Sequence, residues 1–243
     1  MSQFDPSRSD PNPDLFPTWS LSLLERLQDA PGFIGRSAAR KYRRRMFPFS
    51  LREMDRRLAA LTPDDICLDL GANVGAFTEI MARSGARVHA FEPDPETFER
   101  LGERVGHLPN VTLHQKAVGE RNGRLQLYRA ADFASDFDNA SQASSLHYQG
   151  GRMRPVDGCL VEVMGFAELL HAFGRPVAVI KMDVEGAEWE VLEALLAGRL
   201  PLDFGALFVE THERLERRRY PQVVAMRRAA RKMAAPYINL YWP

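Results

Sequence analysis

From residue 66 onward the chain alternates short apolar runs with amphipathic stretches, and nothing else in it restricts the fold as strongly. The runs "ICLDL" (66–70), "RVHAFE" (87–92), "VTLHQKAV" (111–118), "CLVEVM" (159–164), "VAVIKM" (177–182), "GALFVETH" (205–212) and "YINLYW" (237–242) predict strands. The run 177–182 is nearly all apolar, as strands buried on both faces are, and 205–212 is read as another buried strand. Between the runs lie helical patterns. Residues 75–84 place Phe77, Ile80 and Met81 on one face and end at Gly85. Asp94 as N-cap and Pro95 in the first turn open a helix with Phe98, Leu101 and Val105 as its buried stripe. "FAELLHAF" (166–173), residues 187–197 and a basic amphipathic stretch from Pro221 complete the set. Strands alternating with helices predict an α/β fold: a doubly wound, mostly parallel sheet covered on both faces. The turn "RNG" (121–123) predicts that "RLQLYRA" pairs as a hairpin with 111–118. Residues 131–158 are polar and aperiodic and are expected to form a long loop of the lid type.

The segment before this pattern divides in two. Residues 1–18, with four prolines among Ser, Asp and Asn, predict a flexible arm; 19–61 predict an N-terminal helical extension, leaving 62–243 as the main domain. Within the extension, "RKYRRR" (40–45) is expected to be a solvated helix face, the usual fate of a charge run. Lys+Arg and Asp+Glu balance at 32 each, which argues against a nucleic-acid or membrane partner. The basic stretch 214–232 leaves a local RNA-binding patch as an alternative. Two cysteines, Cys67 and Cys159, predict buried free thiols in a reducing compartment. No apolar run approaches the length of a membrane span and the N-terminus lacks a signal-peptide pattern, so a cytoplasmic location is expected.

The strands end in unusual company. Asp183, Glu185, Glu210 and His212 all fall at predicted carboxyl ends, where open α/β sheets bind ligands. "DLGANVG" (69–75) follows a strand and opens a helix, as a nucleotide loop should, but Asn73 replaces the middle glycine of the dinucleotide fingerprint. Asp69 would repel a pyrophosphate and suits a ligand with an amino group and a positive charge. Glu92, 21 residues after Gly71, is spaced to hold two ribose hydroxyls. A ribose beside a cation and without phosphate describes S-adenosylmethionine better than NAD. The plain alternative is that Asp69 and Glu92 only cap the helices that follow.

"DLGANVG", "FEPD", "AVG", "ASSL", "IKMDVEGAE" and "FVETH" stand in the order and at about the spacing of the FkbM family of methyltransferases, which residues 62–215 resemble. The resemblance implies a class I, Rossmann-like fold that uses S-adenosylmethionine and methylates a hydroxyl of a sugar or secondary metabolite. Asp69, Gly71, Ala72, Asn73 and Gly75 match the family's methionine-binding loop, and Glu92 its ribose acid. Ala117 lies on the adenine side, and Asp183 borders both cofactor and acceptor. Asp183 and Glu185 match D-x-E-G, Glu210 and His212 match V-E-x-H, and Ser144 and Ser145 match a serine pair facing substrate. The chain departs from the family in three places. Phe166-Ala167-Glu168 replaces Leu-Asp-Asp, removing a helix cap; only one strand can be placed after His212; and the first 60 residues match no family motif.

For methyl transfer to a hydroxyl, His212 or Asp183 is expected to take the proton while Glu185 and Glu210 orient substrate and base. Glu188, in the first turn of a helix, is expected to be structural. Two carboxylates and a histidine converging on one edge could also hold Mg²⁺ or Mn²⁺, but the same groups serve acid–base chemistry alone, so no metal ligand is assigned. The other histidines, His89 and His114 among them, lack a spaced partner and are expected to be surface or packed residues. A domain that binds cofactor without turnover is a rival reading, disfavoured because loop and acids are both present.

Overall fold

The computed structural model of the chain describes residues 18–130, 153–213 and 217–242. In chain order its elements are α1 (Thr18–Leu27), α2 (Gly32–Leu58), β1 (Ile66–Leu70), α3 (Ala76–Ala82), β2 (Arg87–Phe91), α4 (Pro95–Val105), β3 (Val111–His114), β4 (Ala117–Gly119) and β5 (Gly123–Ala130). There follow β6 (Met153–Gly165), α5 (Phe166–Ala172), β7 (Val177–Met182), α6 (Glu188–Leu196), β8 (Phe204–Glu210), a 3₁₀ turn (Arg217–Arg219), α7 (Tyr220–Lys232) and β9 (Tyr237–Trp242).

Six strands form one sheet in the order β3-β2-β1-β7-β8-β9, and every pairing in it is parallel. This is the doubly wound order: the chain steps outward from β1 to β3, then returns to the centre and steps the other way. The reversal falls between β1 and β7. β1 is buried throughout and β7 nearly so, because the sheet is covered on both faces. On one face Leu68, Leu70, Ile180, Leu192, Val209 and Val223 belong to the largest apolar cluster; on the other, Met54, Leu58, Phe208 and Trp242 gather.

The N-terminal helices are joined to the sheet at β9. Leu21 and Leu24 of α1 cluster with Ala38 and Tyr42 of α2 and with Tyr241. Ser50 Oγ donates to Asn239 Oδ1 at 3.0 Å. α4 begins as its sequence predicts, with Asp94 Oδ1 accepting the N–H groups of Glu96 and Thr97. No helix among the described residues is long and apolar enough to cross a membrane.

Several expectations need correction. The run 111–118 is two strands: β3 stays in the large sheet, and β4 crosses into a second sheet of order β4-β6-β5. β5 therefore pairs antiparallel with β6, not with residues 111–118, and β4 lies parallel to β6. The chain is already extended from Met153, inside the expected loop, because β5 offers it an edge to pair with. In α3 the buried side chains are Thr78, Met81 and Ala82, while Ile80 is exposed; the face turns toward Asp69, which Thr78 serves. Among the described residues a single strand follows His212, and β9 runs parallel to β8. α5 starts at Phe166 with no side-chain cap. Of the "RKYRRR" run, Arg40, Lys41 and Arg44 are exposed, but Tyr42 is buried and Arg43 turns inward. Cys67 is buried, Cys159 only partly so, and both are free thiols. His89 and His114 are packed, but on each other, with ring nitrogens 3.0 Å apart.

Candidate active site

Strand register builds the site. Leu70 pairs with Phe91 on one side and Met182 on the other, and Met182 pairs with Val209. One residue further along each strand stand Gly71, Glu92, Asp183 and Glu210, a row across the carboxyl ends of four adjacent strands. The β1–β7 reversal lies at its middle, where such sheets open a crevice.

Gly71 and Asp183 meet most closely. Asp183 N donates to Leu70 O at 2.9 Å, and Gly71 has a φ of +76°. A Cβ at Gly71 would lie 1.7 Å from the carbonyl oxygen of Asp183, so only glycine lets the two chains pass. Gly75 is also left-handed, at φ 85°, and a Cβ there would press on the Leu101 side chain of α4 at 2.8 Å, which would have to shift. Ala72 is buried with Ala90, Leu101 and Val105, and its N–H, like that of Gly71, donates to Phe91 O. Asn73, also left-handed at φ 49°, donates its N–H to Glu92 Oε2 at 3.0 Å.

Glu92 is buried, and Asp94 N donates to its other oxygen. Burial pushes its carboxyl up to about 7, against the pull of those two N–H groups and of Lys181. Each oxygen holds one backbone donor and keeps further acceptor capacity, as a carboxylate serving two ribose hydroxyls needs. Asn73 Oδ1, Asp183 Oδ1 and His212 Nε2 are buried without a hydrogen bond to a described residue. A loop that turns through glycine, a buried acid with spare capacity and unsatisfied polar atoms together fit a nucleoside cofactor.

Lys181 ties the row together, and sequence reasoning missed it. It is the register partner of Asp69, and its Nζ lies 3.1 Å from Asp69 Oδ1, 3.7 Å from Asp183 Oδ2 and 2.6 Å from Gly71 O. Burial opposes its charge, but Asp69 and Asp183 outweigh that and hold the ammonium above its ordinary range. Asp69, with no exposed surface, takes the Thr78 hydroxyl at 2.7 Å on its second oxygen. Its cationic partner is thus Lys181. The available signal was a lysine inside a strand buried on both faces, which demands counter-charge.

The acids beyond β7 converge on a histidine. After Met182 the chain is not extended: Glu185 takes a left-handed φ of 47° and Gly186 one of 115°, which folds Glu185 back beside Asp183. His212, two residues past β8 and 1% exposed, meets both. Its Nε2 stands 3.3 Å from Glu185 Oε2, 3.4 Å from Asp183 Oδ1 and 3.8 Å from Glu210 Oε1. Nδ1 faces Glu188 Oε1 at 3.0 Å, and the His212 N–H donates to the same oxygen at 3.1 Å. The other Glu188 oxygen accepts Gly186 N–H at 2.7 Å. Burial alone would lower the His212 pKa, but the neighbouring Glu185 and Glu188 carboxylates raise it well above its ordinary value. Glu188 is structural, as expected, though its work is done on His212 as well as on its own helix.

The N-terminal helix reaches the same place. Arg43 NH1 donates to Thr211 O at 3.2 Å and lies 3.9 Å from Glu210 and 4.0 Å from Glu213. Glu213 in turn pairs with buried Arg227 at 3.1 Å and accepts the Thr211 hydroxyl at 2.8 Å. Ala117, on β4, is buried and clustered with Leu127, Val161 and Val163 of the smaller sheet. Ser144 and Ser145 lie outside the described residues.

The FkbM methyltransferase domain model matches residues 69–233, more than half of the chain. The chain belongs to the FkbM methyltransferase family. The match takes in the glycine loop, the D-x-E-G turn and the V-E-x-H strand end. Among relatives, the 2-O-methyltransferase NoeI of Sinorhizobium fredii is 28% identical over 155 residues, 60% of this chain and 64% of its own. The hexuronic acid methyltransferase AglP of Haloferax volcanii is 28% identical over 151 residues, 61% of this chain and 56% of its own. The 31-O-demethyl-FK506 methyltransferase FkbM of Streptomyces tacrolimicus is 30% identical over 155 residues, 54% and 60% respectively. The chain spans less than two thirds of the length of each of these FkbM-type relatives.

Proposed function

We propose that the chain is an S-adenosylmethionine-dependent O-methyltransferase acting on a hydroxyl of a sugar or secondary metabolite. The observation that carries this reading is the single row Glu92–Gly71–Asp183–Glu210, with a ribose-type acid at one end and an acid–histidine cluster at the other. Family membership and relatives named as a 2-O-methyltransferase, a hexuronic acid methyltransferase and a 31-O-demethyl-FK506 methyltransferase support it.

When bound, S-adenosylmethionine supplies an electrophilic methyl on a sulfonium. The chain's own residues do the rest. Gly71, Ala72, Asn73 and Gly75 shape the loop, and Glu92 takes the ribose hydroxyls. Lys181, by holding Asp69, Asp183 and Gly71 O at once, fixes the loop against the acceptor side. Asp183, Glu185, Glu210 and His212 receive the acceptor hydroxyl and its proton. Asp183 is the most accessible of them, its side chain 29% exposed against 15% for Glu185 and 1% for His212. Alignment of the two reactants supplies the larger share of rate, up to effective molarities of about 10⁵–10⁸ M; a positioned base adds about 10²–10⁴-fold.

The test is titration calorimetry with S-adenosylmethionine and with NAD, then a mass screen of hydroxylated sugars and secondary metabolites for a gain of one methylene. Binding of S-adenosylmethionine alone, with loss of turnover in Asp183→Asn and cofactor affinity kept, is expected. Preference for NAD, or full turnover in both Asp183→Asn and His212→Ala, would overturn the reading.

A further inference from the structure

The acid–histidine cluster carries a feature that proton transfer alone leaves unexplained. His212 Nε2 is buried and aimed at two carboxylates, yet it makes no hydrogen bond to a described residue. Its neighbours stand at 3.3 and 3.4 Å, beyond the roughly 2.7–2.9 Å of a charge-assisted bond. Asp183 Oδ1, one of those neighbours, is likewise buried and unbonded. The two groups face each other at an ion-pair distance without forming a hydrogen bond.

We propose that Asp183, Glu185 and His212 bind one divalent cation of the Mn²⁺ type, and that an oxygen of the methyl acceptor completes its coordination. The spacing suits such an ion. Neighbouring ligands on an octahedral ion with bonds of about 2.1 Å lie about 3.0 Å apart, because the ion holds them at right angles. One ligand atom from each of the three residues lies within 4.8 Å of the other two. Two carboxylates and one imidazole nitrogen form a mixed donor set that suits Mn²⁺ better than Ca²⁺, which takes oxygen throughout. Three protein ligands leave positions open, as sites that handle substrate do and closed structural sites do not.

The surroundings are those of a metal-bound histidine. Glu188 Oε1 lies 3.0 Å from Nδ1, which keeps a proton on Nδ1, so that a cation at Nε2 would replace the Nε2 proton and meet the lone pair there. Glu188 is itself held by Gly186 N–H and His212 N–H, so the ring's orientation is built into two strand ends and a helix start. With the ion in place, an acceptor hydroxyl bound to it becomes a stronger acid. Glu210, outside the trio and 3.8 Å from Nε2, is then the carboxylate assigned to take the proton. The acceptor's part in this rests on the transferase reading above; the ion site does not.

Manganese titrated into the full chain after EDTA treatment and dialysis tests the proposal, followed by calorimetry and by electron paramagnetic resonance. One Mn²⁺ per chain is expected, with a nitrogen hyperfine coupling from imidazole. Glu185→Gln, at a partly exposed position, should weaken the ion at least 10-fold, and Glu188→Gln about 10–100-fold through the ring it orients. His212→Gln should remove the nitrogen coupling; Asp183→Asn provides a second ligand variant if that chain fails to fold. Failure of the wild-type chain to hold Mn²⁺ below millimolar concentration would overturn the proposal. So would Mn²⁺ affinity unchanged from wild type in both Glu185→Gln and Asp183→Asn, which would place the ion elsewhere. S-adenosylmethionine is titrated separately without Mn²⁺. Cofactor binding without metal binding sinks the ion site alone; metal binding without cofactor binding sinks the transferase reading alone.

Discussion

Glu188 Oε1 lies 3.0 Å from Nδ1 of His212, and both side chains are removed from water. Each raises the other's charged form against burial: the carboxyl is held below its ordinary range and the imidazole well above. Removing the charge at one end while keeping the shape isolates the pair. Glu188→Gln should cost about 2 kcal/mol, the scale of a hydrogen bond to a charged group, because the amide oxygen can still accept from the ring. Urea denaturation of the metal-free chain near pH 6 measures this, and the His212 ring resonances should titrate at lower pH in the variant.

Lys181 presents the same logic at larger scale. Lys181→Met leaves Asp69, which has no exposed surface, without its cation. Breaking a buried pair at one end costs about 3–5 kcal/mol. Adding Asp69→Asn should restore part of that, giving a double variant more stable than the sum of the singles implies. Strict additivity in urea midpoints would show that the two groups do not act as a pair.

Two glycines separate backbone strain from steric exclusion. Gly71 and Gly85 share nearly the same φ, +76° and +83°. A Cβ at Gly85 meets nothing within 4 Å, whereas at Gly71 it meets the Asp183 carbonyl oxygen at 1.7 Å. Gly85→Ala should cost only the left-handed penalty of about 1 kcal/mol. Gly71→Ala must push β1 and β7 apart at the crevice. It should cost well beyond that, with cofactor binding lost in whatever folds. Thermal melts of the two variants side by side decide it.

What the sequence made legible follows from what periodicity and spacing encode. Apolar runs ending in acids located the row of Glu92, Asp183 and Glu210, since strands of a parallel sheet end on one edge. Gly71 was legible as a turn, but its contact with the Asp183 carbonyl was not, because that depends on the β1–β7 register. Lys181 and Arg43 were missed for the same reason: their partners Asp69 and Thr211 lie 112 and 168 residues away. The pairing of β5 with β6 was hidden by the polar stretch between them, which gives no periodic signal. Glu185 was expected on an extended segment; it reaches Asp183 through a left-handed turn, a conformation that no local propensity at glutamate announces.

Glu92 makes stability fall as pH rises. Burial lifts its folded pKa to about 7 from an ordinary 4.5, so its favourable contribution is fully present below 4.5 and is lost as pH climbs through 7. The loss is on the order of 3 kcal/mol. His212, also raised in the folded state, acts in the same direction over a window that begins at its ordinary value of 6.5. Urea unfolding at pH 5 and pH 8 should show the decline, and Glu92→Gln should make it shallower. Ribose hydroxyls donate to the ionised acid, so S-adenosylmethionine affinity should instead rise through pH 7, and that rise should vanish in the variant.

Arg43 asks whether the N-terminal helix takes part in the chemistry or only covers the sheet. Its guanidinium donates to Thr211 O, adjacent to His212, and lies 3.9 Å from Glu210. Arg40, about one turn away on the same helix, and Lys41, two residues away, are exposed and provide controls. A helix that merely covers would lose a little stability on Arg43→Ala and leave turnover unchanged. A helix that sets the β8 end should behave differently: kcat should fall about 10-fold with S-adenosylmethionine affinity kept, since the cofactor loop lies across the row at β1. Arg43→Lys should recover little, because one ammonium cannot reach the Thr211 carbonyl and the Glu210 carboxylate with the fork a guanidinium provides. Unchanged kcat in Arg43→Ala, with Arg40→Ala indistinguishable from it, would confine α2 to a covering role.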